Sequence, residues 1–163
     1  KKVMTITGNA IKEPQNLRVR TGTNFRELIE EAGGFTSEPE KIIAGGPMMG
    51  IPLISLDVPV VKTSSAILCM TKDEVAACEE TACINCGRCV SVCPGRIIPA
   101  RLADYAKRHD KEAFEKANGM ECCECGCCSY SCPAKRPLTQ YIKSMRKIVL
   151  ADRKKAAQRG NGK

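Results

Sequence analysis

The chain of 163 residues has no tryptophan, three phenylalanines, three tyrosines and a single histidine, His109. So few aromatic side chains leave little material for a large core. An aliphatic core is within reach of the first half. The second half is too rich in charge and cysteine for one, so something other than hydrophobic burial must stabilise it. No signal peptide or transmembrane run opens the chain. It begins KKVMTITGN without an initiator methionine, which reads as a cut inside a longer protein. Paired carboxylates in a recognisable frame, a Ser/His/Asp set and a nucleotide fingerprint are also missing. The nearest thing to a phosphate loop is GGPMMG at 45–50. It is not G-x-G-x-x-G and no Lys-Ser/Thr pair follows it. It reads instead as a turn that needs glycine's positive φ, with Met48 and Met49 covering apolar surface.

Charge is present but uneven. Of the net +8, residues 143–163 carry eight Lys/Arg (Lys143, Arg146, Lys147, Arg153, Lys154, Lys155, Arg159, Lys163) against Asp152 alone, and residues 1–142 sum to +1. This is a nearly neutral body with a basic tail. On charge alone the tail suits nucleic acid, anionic lipid or an acidic partner.

The first half reads as a small α+β unit. KKVMTITGNA alternates and turns at Gly8-Asn9, and NLRVRTGT is a second strand. TNFRELIEEAGGF is a short helix capped by Thr23 or Asn24, with Phe25, Leu28 and Ile29 as its apolar stripe and Gly33-Gly34 as its stop. KIIAGGPMMG is a strand entering a tight turn, and VPVVKTSSAILCMT supplies one or two more strands. Short strands around one helix fit a β-grasp-like domain over 1–70. Thr71-Lys-Asp-Glu74 is a capping box that opens a short helix and marks the boundary. A mainly helical domain is expected over 71–150 and the basic tail over 151–163.

What the sequence has in quantity is cysteine, twelve in all. Thr81–Pro94 (TACINCGRCVSVCP) and Met120–Pro133 (MECCECGCCSYSCP) align at an offset of 39 residues. Both read C-x2-C-x2-C-x3-C-P. Cys83, Cys86, Cys89 and Cys93 match Cys122, Cys125, Cys128 and Cys132. After each run a proline opens an amphipathic helix, striped by Leu102, Tyr105 and Ala106 in the first and by Leu138, Tyr141, Ile142, Met145 and Val149 in the second.

The spacing has a chemical reason. A cubane [4Fe–4S] cluster needs one thiolate per iron, and a compact loop aims three sulfurs at three corners. The proline after the fourth cysteine turns that sulfur elsewhere. In two-cluster ferredoxins the fourth cysteine of each run ligates the other cluster. Cys83, Cys86, Cys89 and Cys132 are therefore expected to hold one cluster, and Cys122, Cys125, Cys128 and Cys93 the other. Zinc has no use for a third cysteine in register or for the repeated C-P. Vicinal cysteines such as Cys122-Cys123 pair badly as disulfides. A plant-type [2Fe–2S] site fits Cys78-x4-Cys83-x2-Cys86 but ignores the second copy. Cys123 and Cys127 fall opposite Ile84 and Arg88 and read as small packing residues. Cys69 reads as core, Cys78 as a packing residue, and His109 as a packing or surface residue.

Two fully ligated cubanes leave no open iron, so the reaction class is electron relay, with no catalytic site of the chain's own. GGPMMG, LDVPVVK, CINCGRCVSVCP, CCECGCCSYSCP and RPLTQYIKSMRK, in that order, resemble the C subunit of the Rnf electron transport complex over nearly the whole chain. The resemblance implies a soluble-ligand-binding (SLBB) β-grasp domain followed by a dicluster ferredoxin domain. It implies a place in a complex that couples electron flow between NAD(H) and ferredoxin to ion movement, peripheral on the cytoplasmic side of the membrane. FMN and NADH are then expected only in a missing N-terminal region or in partner subunits. Expected partners are other subunits and a ferredoxin or flavoprotein. No nucleic acid is expected, and the tail contacts the membrane surface or an acidic partner. A cobalamin-reductase-type relative and a metal-stabilised binding module without redox role are the alternatives.

Overall fold

The computed structural model describes residues 1–73 and 77–160. It divides into two compact units, Lys1–Cys78 and Glu79–Lys163.

The first unit is a mixed five-stranded sheet with one helix. Strands β1 (Lys2–Thr7), β2 (Gln15–Val19), β3 (Lys41–Ala44), β4 (Ile51–Leu53) and β5 (Ala66–Met70) lie in the order β2-β1-β5-β3-β4. β1 runs parallel to β5 and antiparallel to β2, and β3 is antiparallel to both neighbours. Alternation in KVMTIT sends Met4 and Ile6 inward, both fully buried. The helix α1 (Phe25–Glu31) begins where the Asn24 side chain accepts the Arg26 N–H at 2.9 Å. It lays Phe25, Leu28 and Ile29 on a core with Met4, Ile6, Val60, Ile67 and Cys69.

VPVVKTSSAILCMT supplies one strand, β5, within the expected one or two, and its VPVVK part adds none. Pro59 cannot donate to a ladder, and the segment instead caps the start of α1 through Val60 N–H to Thr23 O at 2.8 Å and Phe25 N–H to Val58 O at 3.0 Å. The turn glycines of GGPMMG do join two strands, β3 and β4, and Gly45 has φ +109°. Met48 and Met49, expected to cover apolar surface, stand 44% and 59% exposed in the turn between β3 and β4 and so cover it only in part. Glu74, the last residue of the expected capping box, and residues 75 and 76 of the short helix after it lie outside the described residues, and Ala77 and Cys78 beyond them are not helical.

At Gly8 the sheet tolerates no side chain. Gly8 has φ +122°, and a Cβ there would stand 1.9 Å from the Cys69 carbonyl oxygen. Gly8→Ala is expected to destabilise the first unit by at least about 3 kcal/mol, strain and clash together, as read from its denaturant midpoint.

The second unit is helical: α2 (Arg88–Ser91), α3 (Pro99–Lys107), α4 (Lys111–Lys116), a single 3-10 turn (Gly119–Glu121), α5 (Cys127–Tyr130) and α6 (Leu138–Gly160). Asp110 caps α4 by accepting the Ala113 N–H at 2.9 Å. α3 packs on α6 along the expected stripes, with Leu102, Ile142 and Met145 fully or almost fully buried around Phe114. Tyr105 and Tyr141 are only half-buried, since each must keep its hydroxyl near water or a partner. Ala103, which falls outside the expected stripe, is fully buried instead. The basic segment beyond residue 150 continues α6 as far as Gly160; residues 161–163 lie outside the described residues.

Candidate functional site

The sequence repeat is also a backbone repeat. Asn85 and Glu124 (φ 53° and 57°), Gly87 and Gly126 (73° and 83°), and Arg96 and Lys135 (51° and 52°) are left-handed in pairs 39 residues apart. Gly87 and Gly126 each precede the short helix that carries the third cysteine, α2 or α5. Left-handed turns at Asn85 and Glu124 fold the loop back on itself, so that its sulfurs gather on one side. In the second run the Glu124 N–H points at the Cys122 sulfur, 3.4 Å away.

The two runs are crossed. Thr81, at the entry to the first, donates its N–H to the Ala134 carbonyl at 3.0 Å, beside the Cys132-Pro133 end of the second. At the entry to the second, the Glu121 carbonyl lies 3.4 Å from where a Cβ on Gly95 would sit, beside Cys93-Pro94. Each run therefore enters against the exit of the other.

This crossing creates two cavities. One, of about 200 Å³, is lined by Cys83, Cys86, Cys89 and Cys132, with Arg136 and Leu138 among its other walls. The second closes down to about 10 Å³ and is lined by Cys93, Cys122, Cys125 and Cys128, with Cys123 as a fifth sulfur. The structure thus brings together the two sets of four that the repeat suggested. The donor set suits a metal–sulfur group at both places, and room for one is already formed at the first. Among the described residues no three Cys, His, Asp or Glu side chains converge closely enough for a single metal ion.

The remaining cysteines separate. Cys127 opens α5 and lines neither cavity. Cys78 is exposed. Cys69 is wholly buried in β5 of the first unit, where burial pushes its thiol up to about 11, the state of an inert structural thiol. His109 is exposed, just past α3, with φ 56°.

Burial also pushes the Cys89, Cys122 and Cys128 thiols above their ordinary values. These groups are protonated near neutrality, so ligation at them releases protons. Around the first cavity lies a polar network that spacing alone did not announce. Arg136 is 5% exposed. Its Nε stands 3.4 Å from Glu80 and its Nη2 2.5 Å from Asp104. Burial works against this cation, but the two carboxylates outweigh it and raise its pKa, with a further contribution from the Cys83 side chain. Glu80 also accepts from Lys107 and, at 2.8 Å, from the Tyr141 hydroxyl. Lys107 holds the Glu80 carboxyl below its usual range. Beside the second cavity, Thr139 Oγ1 lies 3.3 Å from the Cys128 sulfur and takes a hydrogen bond from Ser129. Arg136 and Thr139 belong to no motif of their own and so were not expected at the site. The signal was available: at the same offset of 39 they stand opposite Ile97 and Ala100.

Comparison with known proteins bears on what these sulfurs hold. Residues 3–52 match the SLBB domain, and residues 79–98, which include all of the first cysteine run, match the 4Fe-4S binding domain. The C subunit of the Na(+)-translocating ferredoxin:NAD(+) oxidoreductase complex of Acetobacterium woodii is 45% identical over 155 residues, 95% of this chain and 35% of that protein. The proton-translocating counterpart of Clostridium ljungdahlii is 44% identical over 146 residues, 89% of this chain and 32% of its own length. The C subunit of the ion-translocating oxidoreductase complex of Rhodobacter capsulatus is 45% identical over 119 residues, 73% of this chain and 23% of its own. Over nearly its whole length the chain is similar to one segment of Rnf-type C subunits. It spans about a third or less of the length of the curated relatives it matches. The SLBB match takes in most of β1 to β4 of the mixed sheet and the helix α1, and the first cysteine run is an iron–sulfur binding segment.

Proposed function

We propose that this chain relays electrons through two [4Fe–4S] clusters within an Rnf-type complex. The observation that carries the reading is the crossed pair of four-cysteine cavities. In this reading Cys83, Cys86, Cys89 and Cys132 ligate one cluster, and Cys122, Cys125, Cys128 and Cys93 the other. When bound, each cluster takes up and gives back one electron. The chain's own contribution is to hold the two close together, to keep all eight thiolates in place and to aim N–H groups at sulfur, as Glu124 does at Cys122. Cys123 is excluded as a ligand by register: the Glu124 N–H and the left-handed turn at Glu124 serve Cys122, the counterpart of Cys83.

The first site is the more open. Cys83 and Cys86 are exposed, whereas in the second set Cys122, Cys125 and Cys93 are half-buried and Cys128 is buried. The Cys83 end is therefore the place of exchange with a partner, a ferredoxin or flavoprotein. Relatives are named for coupling electron transfer between ferredoxin and NAD(+) to translocation of sodium or of protons. The same coupling is assigned to the complex that would contain this chain, on the cytoplasmic side of the membrane. The names also favour this reading over a cobalamin-reductase-type role. A reductive titration under anaerobic conditions should deliver two electrons per chain, one per cluster. Uptake of one or none overturns the relay.

Among the described residues no helix is long and apolar enough to cross a membrane. Association is assigned to the basic end of α6, where Lys154, Lys155 and Arg159 are exposed. Near an anionic surface each cation contributes about 1 kcal/mol. Changing all three to glutamine should weaken salt-sensitive association with the membrane fraction by about a hundredfold. Unchanged association removes this end of α6 from the docking surface.

A further inference from the structure

The two cavities are built from equivalent positions, which makes their differences informative. At the offset of 39, Cys83, Cys86, Gly87, Cys89, Ala134 and Cys132 of the first correspond to Cys122, Cys125, Gly126, Cys128, Gly95 and Cys93 of the second. One wall position breaks the match in charge: Arg136 in the first is Ile97 in the second, 5% and 6% exposed. A buried guanidinium has five N–H donors to satisfy. Glu80 takes Nε and Asp104 takes Nη2, while Nη1 is buried with no hydrogen-bond partner. A buried cation leaves a donor unmade only at a cost, and the wall it belongs to is the one bearing four thiols.

We infer that Arg136 is the residue that makes the two clusters unequal: its Nη1 donates to the sulfur shell at Cys83 and raises the reduction potential of that cluster alone. This rests on the two-cluster reading above. The physical reason is that a thiolate-ligated cluster gains negative charge on reduction, so a fixed cationic donor stabilises the reduced form more than the oxidised one. Arg136 keeps its proton in both states, so one electron enters and no bond is made or broken.

Two neighbours of the second cavity have to be weighed against it. The Thr139 hydroxyl at Cys128 is a neutral donor, weaker than a charged one. Arg146 lies near Cys122 and its Nε is likewise buried with no hydrogen-bond partner, but its two Nη atoms pair with Glu124 and the Met120 carbonyl, and it does not line the cavity as Arg136 does. Conversely, Asp104 and Glu80 offset part of the charge of Arg136. That offset supplies a second, opposite test.

The test uses the full chain, reconstituted anaerobically, with iron and sulfide counted and both potentials followed by EPR during a redox titration. The shifted cluster is identified from the spectra of Cys86→Ser and Cys125→Ser. Arg136→Gln should lower the potential of the Cys83 cluster and leave its neighbour unmoved. The electron's partition between the two should change at least tenfold, about 59 mV for a one-electron couple. Asp104→Asn, which keeps the shape and removes a counter-charge, should move the same cluster upward. A structural role for Arg136 predicts no such pair of opposite shifts. Full iron content with neither potential moved overturns the inference and leaves the relay intact. If Arg136→Gln loses the cluster, Asp104→Asn decides: a rise supports the inference and no shift overturns it. An unmodified chain that binds no iron overturns the relay reading itself.

Discussion

Cys93→Ser is expected to damage the cluster held by Cys122, Cys125 and Cys128 and to spare the one nearest to it in sequence. Cys93 lies four residues after Cys89, yet its side chain lines the cavity of the other run. Pro94 and the left-handed Arg96 carry the chain away from its own loop. The mirror change, Cys132→Ser, should damage the Cys83 cluster. Each variant should lose up to half of the iron and one of two EPR signals, while Cys123→Ala and Cys127→Ala retain both. Loss of the first cluster on changing Cys93 would mean that each run ligates its own cluster.

Removing the iron should unfold the second unit and leave the first standing. The first unit has a continuous core of buried residues from Met4 to Cys69, closed by five paired strands. The second relies on two small clusters, around Phe114 and Met145 and around Ala103 and Leu138. A core of that size supplies no more than about 3–5 kcal/mol, and a cluster that ties both cysteine runs together supplies much of the rest. Chelation of the reduced protein should therefore lower the melting transition of the second unit by at least about 20 °C, with most of its helical signal lost at the new midpoint. The transition of the first unit should stay where it was. An iron-free chain with both transitions unchanged would show that the helices need no cluster.

The second unit was legible in the sequence wherever the signal was repetition. The two cysteine runs fixed each other's register, and the helices after them followed from prolines at their starts and from apolar stripes. Sheet order was not legible, because β1 pairs with β5 across sixty residues and local alternation says nothing about distant partners. VPVVK carries strand-forming residues, but Pro59 and the need to close α1 overrode them. β4 went unrecognised because three residues containing Pro52 give no period to read. Around the sulfurs the repeat placed every cysteine but hid Arg136 and Thr139, since they are departures from the repeat. Glu80, far from Arg136 in sequence, joins it only through the crossing of the runs.

The most direct test of the two-cluster relay is the iron and acid-labile sulfide content of the chain purified without oxygen, with zinc measured on the same sample. About eight iron and eight sulfide per chain are expected. Four or fewer irons, or stoichiometric zinc, would contradict it.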